Sequence, residues 1–491
     1  MRVSDWIQLS DMNRVSETNR QSSFTLLIHR LFSNRGLPDW IIAIILGLSV
    51  WYSIDIEYWK RTDRIIAQDV LHYYAYLPAV FIYQDIELKY VTENPSAYQN
   101  KVWPIHSQLG KNTIVTTMGM SIMYTPAFLT TRIYMLLTGQ GEDDGYGPPY
   151  RLGLIIGTLV YLLFALILLK KLLLKFFSTV VVAITLLIVV PGTNLFHYAT
   201  AEATMTHANS FFLYAAFLYL TVLWHEKPSF RLSILLGLVS GMIALVRPTN
   251  AIIGLVFIFW DVKSLESLKD KALFFVKNYK WLMTLLAFAV LIWVPQIVYW
   301  KTMTGLYFFN GYGSDQGFFF NNPQIFNNLF SYRKGWLVYT PVMILAFIGI
   351  VIMFRKLKGI AVPLIIFTLL NVYIISSWWA WWYGGGFGLR AYVESYALYA
   401  VGFAAFVQWV IDRRKWIVTL PVMLIIVAFI ALNLFQTRQY YFGSIHYVGM
   451  TKEAYWHSFL KLKPYGKFYD KLTIPNMEKA RQGIYEYEKA P

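Results

Sequence analysis

Eleven apolar runs punctuate this chain, at 39–54, 151–169, 178–196, 207–224, 232–246, 249–260, 281–300, 336–354, 360–378, 392–411 and 416–435. A helix rises 1.5 Å per residue, so roughly 20 apolar residues cross a ~30 Å hydrocarbon core. In lipid each backbone N–H and C=O must find its partner inside the protein, which leaves the α-helix as the form for single runs of this kind. The expected fold is therefore an all-α polytopic membrane protein of about eleven transmembrane helices. Composition agrees: 57% hydrophobic and 14% charged over 491 residues is too apolar for a soluble fold and fits one large membrane domain.

A further apolar stretch, 118–137, decides the sidedness of everything after it. Basic residues in short loops mark the cytoplasmic side. If 118–137 does not cross, sixteen such residues fall inside: Lys170, Lys171, Lys175, Lys227, Arg231, Lys263, Lys269, Lys271, Lys277, Lys280, Arg355, Lys356, Lys358, Arg413, Arg414 and Lys415. Six then fall in short outer loops: Arg151, Arg247, Lys301, Arg333, Lys334 and Arg390. If it crosses, the ratio inverts. The stretch is accordingly read as a helix in the outer interface, with Glu142, Asp143 and Asp144 facing out. The same rule splits 232–260 into a hairpin at Arg247-Pro248, because one long helix would throw the lysines of 263–280 outside. No short apolar core with a small-residue cleavage site opens the chain, so its first run is read as a retained anchor. The organisation that follows is a cytoplasmic segment 1–37, a membrane domain 38–435 whose first outer loop is 55–150, and an outer tail 436–491. The N-terminus is inside and the C-terminus outside.

Several function classes drop out, and the transporter reading loses support. The net charge of +16 is spread over short clusters between apolar runs, the membrane pattern and not that of a nucleic-acid surface. Without cysteine the chain has no disulfide, no thiolate nucleophile and no cysteine metal site. No GxxxxGK(S/T) or GxGxxG signature is present, so soluble nucleotide donors are not supported. The middles of nearly all runs lack Asp, Glu, Lys and Arg, whereas a transporter keeps coupling and substrate groups near the midplane.

The ionisable residues gather instead at the expected outer ends: Arg151, Glu202, Arg247, Arg390 and Glu394, with His197 and His207 beside them. In the first outer loop Asp69 precedes His72, Tyr73, Tyr74 and Tyr76. A carboxylate in such an aromatic, partly dehydrated setting is a candidate general base; the plain alternative is a helix cap beside an interfacial tyrosine belt. Residues 376–396, SSWWAWWYGGGFGLRAYVESY, set Tyr383 and Gly384 to Gly386 before Arg390. The tryptophans fit an interfacial belt, but the glycines permit a sharp turn or a close ligand approach, and Arg390 supplies a fork for a phosphate. Arg333 and Lys334 stand outside against the positive-inside trend, as holders of a lipid phosphate or as snorkelling side chains. Arg247 with Asn250 either caps the hairpin or joins the same group. His197, Glu202 and His207 have metal-ligand chemistry, though histidine spacing alone is unspecific.

Taken in order, these motifs resemble the GT-C superfamily of membrane glycosyltransferases, which includes protein O-mannosyltransferases, aminoarabinose transferases and oligosaccharyltransferase catalytic subunits. The resemblance covers most of 39–435: an early acidic residue before YYAYLPA in a long outer loop, RLGLIIG, ATMTHANSFFL, LVRPTN and WWYGGGFGLRAYVESY. It is nearest to bacterial multi-pass proteins of the group, hence an inner-membrane location. It implies a sugar donor on a polyprenyl phosphate and inverting transfer to an acceptor glycan, lipid or protein of unknown identity at the outer face. Asp69 matches the first-loop acid, as base or acceptor-orienting group. Some relatives carry an acid where His207 stands, and Glu202 is the substitute. Arg390, with Arg247, Arg333 and Lys334, would hold the donor phosphate, and His72, Tyr73, Tyr74, Tyr383 and Gly385 would line the substrate pocket. No cofactor or metal ligand is assigned; metal use varies within the superfamily, so a divalent ion stays open. A flippase of lipid-linked glycans and an outer-face polysaccharide polymerase or ligase are the alternatives.

Overall fold

A computed structural model describes residues 36–98, 100–139, 144–313 and 315–490. The segment 1–35, with Glu142 and Asp143 of the acidic run, lies outside the described residues. The chain is helical almost throughout. Its main helices are α1 Leu37–Ile56, α2 Asp69–Tyr74, α3 Gly119–Thr138, α4 Pro148–Leu173, α5 Thr179–Val189, α6 Thr206–Glu226, α7 Phe230–Val246, α8 Leu265–Lys277, α9 Tyr279–Thr304, α10 Met343–Lys356, α11 Lys358–Ser376, α12 Tyr396–Asp412 and α13 Trp416–Phe442. Two small antiparallel hairpins, 105–113 and 473–489, are the sheet content of the described residues.

Among the described residues seven helices are long and apolar enough to cross a membrane: α1, α4, α6, α9, α11, α13 and the segment Arg390–Asp412 that contains α12. The remaining runs of the expected eleven are helical but short or broken, for visible reasons. The 178–196 run stops at Val189 because Pro191 and Gly192 follow, and a separate turn, Leu195–Thr200, completes it. Asn433 of α13 donates to the Pro191 and Thr193 carbonyls at 2.9 and 2.7 Å, so backbone acceptors freed by the break are satisfied by a neighbouring helix. The 336–354 run is likewise interrupted at Thr340-Pro341, between Trp336–Tyr339 and α10.

The hairpin at Arg247-Pro248 is present. A Cβ on Gly237 would meet the Leu285 carbonyl and one on Gly241 the Ala289 carbonyl, so α7 and α9 run parallel and in close contact. Two parallel helices require the chain between them to return to its starting end, which the 3-10 turn Pro248–Ile253, the short helix Gly254–Ile258 and α8 accomplish. The Asp261 amide then donates to the Gly359 carbonyl at 2.9 Å, at the start of α11.

Helix α3, the ambiguous stretch, has twenty residues but is not among the seven. Tyr161 donates to the Met123 carbonyl, a Cβ on Gly157 would touch Ala127 and one on Gly153 would touch Thr131. Helix α3 therefore lies antiparallel beside the N-terminal half of α4 only. At the centre of the bundle α6 and α12 are mostly buried, whereas α9 and α13 expose most of their surface. The last helix runs unbroken past 435 to Phe442, and the chain beyond it folds back as a cap.

Candidate active site at one end of the bundle

Gln68 has a positive φ of 53°, turning the loop so that Asp69 opens α2. The Asp69 side chain is 48% exposed, and its Oδ2 accepts a hydrogen bond from Arg390 at 2.9 Å. The two residues come from opposite ends of the sequence, and a third element fixes Arg390. Its other terminal nitrogen points at the Met205 sulfur, 3.9 Å away, just ahead of α6.

The glycine loop sets this direction. Gly384, Gly386 and Gly388 have φ of +68°, +153° and +61°, values that L side chains rarely adopt. At Gly386 space is also short: a Cβ would lie 2.6 Å from the Tyr198 hydroxyl. That hydroxyl donates to the Phe387 carbonyl at 3.2 Å and accepts from the Phe387 amide at 3.0 Å, anchoring the loop to the turn Leu195–Thr200.

One helical turn after Arg390, Glu394 is buried at 2% exposure and uses both oxygens. Oε1 accepts from Arg247 at the hairpin tip, 2.9 Å away, and Oε2 faces His207 Nδ1 at 3.0 Å. A carboxylate on Nδ1 selects the tautomer with the proton there, leaving Nε2 as an acceptor. The Arg247 guanidinium also lies 5.6 Å from the centre of the Tyr383 ring. Asp69, Arg390 and Arg247 all bear electrostatically on Tyr73, whose phenol is pushed well up, foremost by burial. The Tyr73 phenol is thus protonated.

Lys334 is buried beneath the glycine loop and donates to the Gly386 and Tyr447 carbonyls. Burial pulls it down to about 7, against the opposing pull of Glu202. Glu202, in the turn before α6, accepts from Tyr440 of α13 at 3.3 Å and has His197 Nε2 at 3.4 Å. Its burial raises the carboxyl, but His197, Arg390 and Lys334 outweigh that and hold it below the usual range, so it is ionised.

The expected residues thus separate into groups. Asp69, Arg390, Arg247, Tyr73, Tyr383, His207 and Glu202 gather at one end, with Lys334 behind the loop. His72 is next to Asp69; its ring packs on Trp103 at 5.8 Å, and burial lowers its pKa. Gly385 is exposed beside the Tyr447 ring. Tyr74 turns the other way, fully buried, with its hydroxyl on the Gly145 carbonyl. Arg333 faces the tail: it donates to Val448 O at 2.6 Å and to Thr473 O and Oγ1 at 2.7 Å, and stacks on Tyr487 at 4.4 Å. His197 and His207 have different carboxylate partners, and among the described residues no group of three or more metal-ligand side chains converges. Tyr198 and Tyr440 are site residues that the sequence reading did not select, and Glu394 is one that it placed among the outer-end ionisable residues without a role. Glu394 alone carried a signal, its position four residues after Arg390 on one helical face.

No protein-family model and no curated protein matches the chain. Solved structures do, among them two chains of an archaeal oligosaccharyltransferase. The oligosaccharyltransferase of Archaeoglobus fulgidus in the apo form aligns at 14% identity and a TM-score of 0.49, over 89% of this chain and 61% of that one. The archaeal oligosaccharyltransferase AglB from the same organism, in complex with an inhibitory peptide and a dolichol-phosphate, aligns at 14% identity and a TM-score of 0.46, over 87% and 57%. The chain spans about three fifths of the length of these solved chains. Likeness at this level assigns no residue role and no activity.

Proposed function

We propose that this protein is a GT-C type glycosyltransferase that moves a sugar, with inversion, from a polyprenyl-phosphate donor to an acceptor at the outer face of a bacterial inner membrane. The observation that carries the reading is the ion pair between half-exposed Asp69 and Arg390, 2.9 Å apart, with Arg247 beside it, at one end of an apolar bundle. The basic loops at the other end support, by the positive-inside rule, reading the Asp69 end as the outer one.

In the reaction the acceptor oxygen attacks the anomeric carbon as the bond from that carbon to the phosphate oxygen breaks. Asp69 takes the acceptor proton, and the electron pair leaves with the polyprenyl phosphate. Negative charge then grows on the phosphate, where fixed guanidinium groups stabilise it without reorganising. Arg390 is suited to this because Asp69 occupies only part of its five-donor fork. Arg247 adds a second cation whose charge is partly balanced by Glu394. Neutral phenols such as Tyr73 and Tyr383 complete a surface able to pack against a sugar.

The test is transfer from a labelled polyprenyl-phosphate sugar in membranes that hold the native acceptors. Asp69→Asn and Arg390→Ala are each expected to lose about 100-fold or more. Full activity in both variants would remove these residues from the mechanism.

A further inference from the structure

The end of the bundle remote from Asp69 contains a cavity of about 760 Å³. His207 and His225 lie on the same helix eighteen residues apart, so roughly 27 Å of helix axis separates this cavity from the site above. Phe176, Val222, Trp260, Phe274 and Ile360 make its walls apolar. The rest of the lining is polar, with His225, Ser267, Glu226, Asp261, Lys263 and Asp270, and with Lys271 of α8, which is 9% exposed.

Lys271 has no carboxylate or carbonyl partner among the described residues. Its ammonium rests on the rings of Phe275 and Phe274, at 4.9 and 5.3 Å. The neighbouring carboxylates are already taken: Asp261 pairs with Lys263 at 2.9 Å and Glu226 with Lys175 at 2.9 Å, while Asp270 is exposed at the rim. His225 faces the same space. Its Nδ1 donates to the Thr221 carbonyl at 2.8 Å, its ring stacks on Phe274, and Nε2 is buried with no partner. A buried ammonium without an anion is costly, and so is a buried polar nitrogen left unbonded.

We propose that this cavity binds the phosphate of an anionic membrane-lipid headgroup, with Lys271 as its ion-pair partner and the aromatic walls around its apolar part. Burial lowers Lys271 to about 7 against the opposing pull of Asp261, which fits this role, because a phosphate beside the amine would restore its charged form. The location fits as well: the cavity opens among the lysine-rich loops, where anionic headgroups concentrate.

The experiment compares full-length purified protein in detergent with added phosphatidylglycerol, phosphatidylcholine or inorganic phosphate, read by native mass spectrometry and thermal melting. Phosphatidylglycerol should be retained and should raise the melting temperature, while phosphatidylcholine should do neither. Lys271→Met should lose that rise, and Lys277→Met, which removes an exposed lysine from the same helix, should keep it. If Lys271→Met does not fold, Lys271→Gln carries the same comparison. An unchanged response in the Lys271 variant overturns the site. So does equal retention of the two lipids by the wild type. A Lys271-dependent rise with inorganic phosphate and none with phosphatidylglycerol overturns the lipid assignment in favour of a soluble phosphate compound.

Discussion

Glu394 joins three separate parts of the sequence, because its two oxygens hold Arg247 and His207 while its own turn carries Arg390. Glu394→Gln is expected to leave Arg247 without its counter-charge, at a cost of about 3 kcal/mol in stability. Thermal melting in detergent measures the loss, and an unchanged midpoint would show that the pair is not structural. Gly386→Ala should act through geometry instead. Its methyl group meets the Tyr198 hydroxyl at 2.6 Å, so the loop must shift and Arg390 with it. Transfer should fall while Gly385→Ala, at the exposed position, retains more of it. At this scale the sequence singled out Asp69 and Arg390 as candidates, but Asp69 read equally well as a helix cap beside a tyrosine belt, and it is the fold that brings the two together. The role of Glu394 was not readable, because its partners Arg247 and His207 come from distant parts of the sequence. Arg333 misled because positive charge on the outer side looks the same whether it awaits a lipid phosphate or bonds three oxygens of the tail.

The tail after α13 is the element least visible in the sequence. Its aromatic and basic composition fits helices lying on a membrane, yet it folds into the helix Lys452–Ser458 and a hairpin of Thr473–Pro475 with Tyr487–Lys489. It packs against Tyr339 and Phe387 on one side and Trp379, Trp381 and Trp382 on the other, contacts that no local periodicity announces. Next to Tyr447, whose carbonyl holds Lys334, the His446 Nδ1 accepts hydrogen bonds from the Gly449 and Val448 amides at 2.8 and 3.3 Å. Protonation there removes the acceptor. Burial, with Lys334 and Arg333, accordingly lowers His446 from 6.5 to about 4. Between those values the unfolded chain binds the proton and the folded one does not. The stability contributed by this contact is full above about 6.5 and is lost as pH falls toward about 4. Limited proteolysis of the tail should speed up across that window in the wild type. In His446→Gln, which does not titrate, the pH dependence should flatten; the same dependence in both would assign it elsewhere.

For the whole molecule, hydropathy located the apolar helices, and among the described residues seven of the eleven runs form full-length helices, while prolines at 191 and 341 break two of the other four. Charge placement added what hydropathy lacks, the parallel course of α7 and α9 and the limited reach of α3. The absence of cysteine makes sidedness directly testable, because any introduced thiol is the only one. A membrane-impermeant maleimide applied to intact cells should label Lys452→Cys in the tail and leave Lys277→Cys in α8 unlabelled; the reverse pattern would put the Asp69 end in the cytoplasm. The most direct test of the central claim is a structure of the protein with a polyprenyl phosphate bound. The account predicts the phosphate within hydrogen-bonding distance of Arg390 and beside Arg247, with Asp69 facing the open side. A phosphate held elsewhere, away from both arginines, would contradict it.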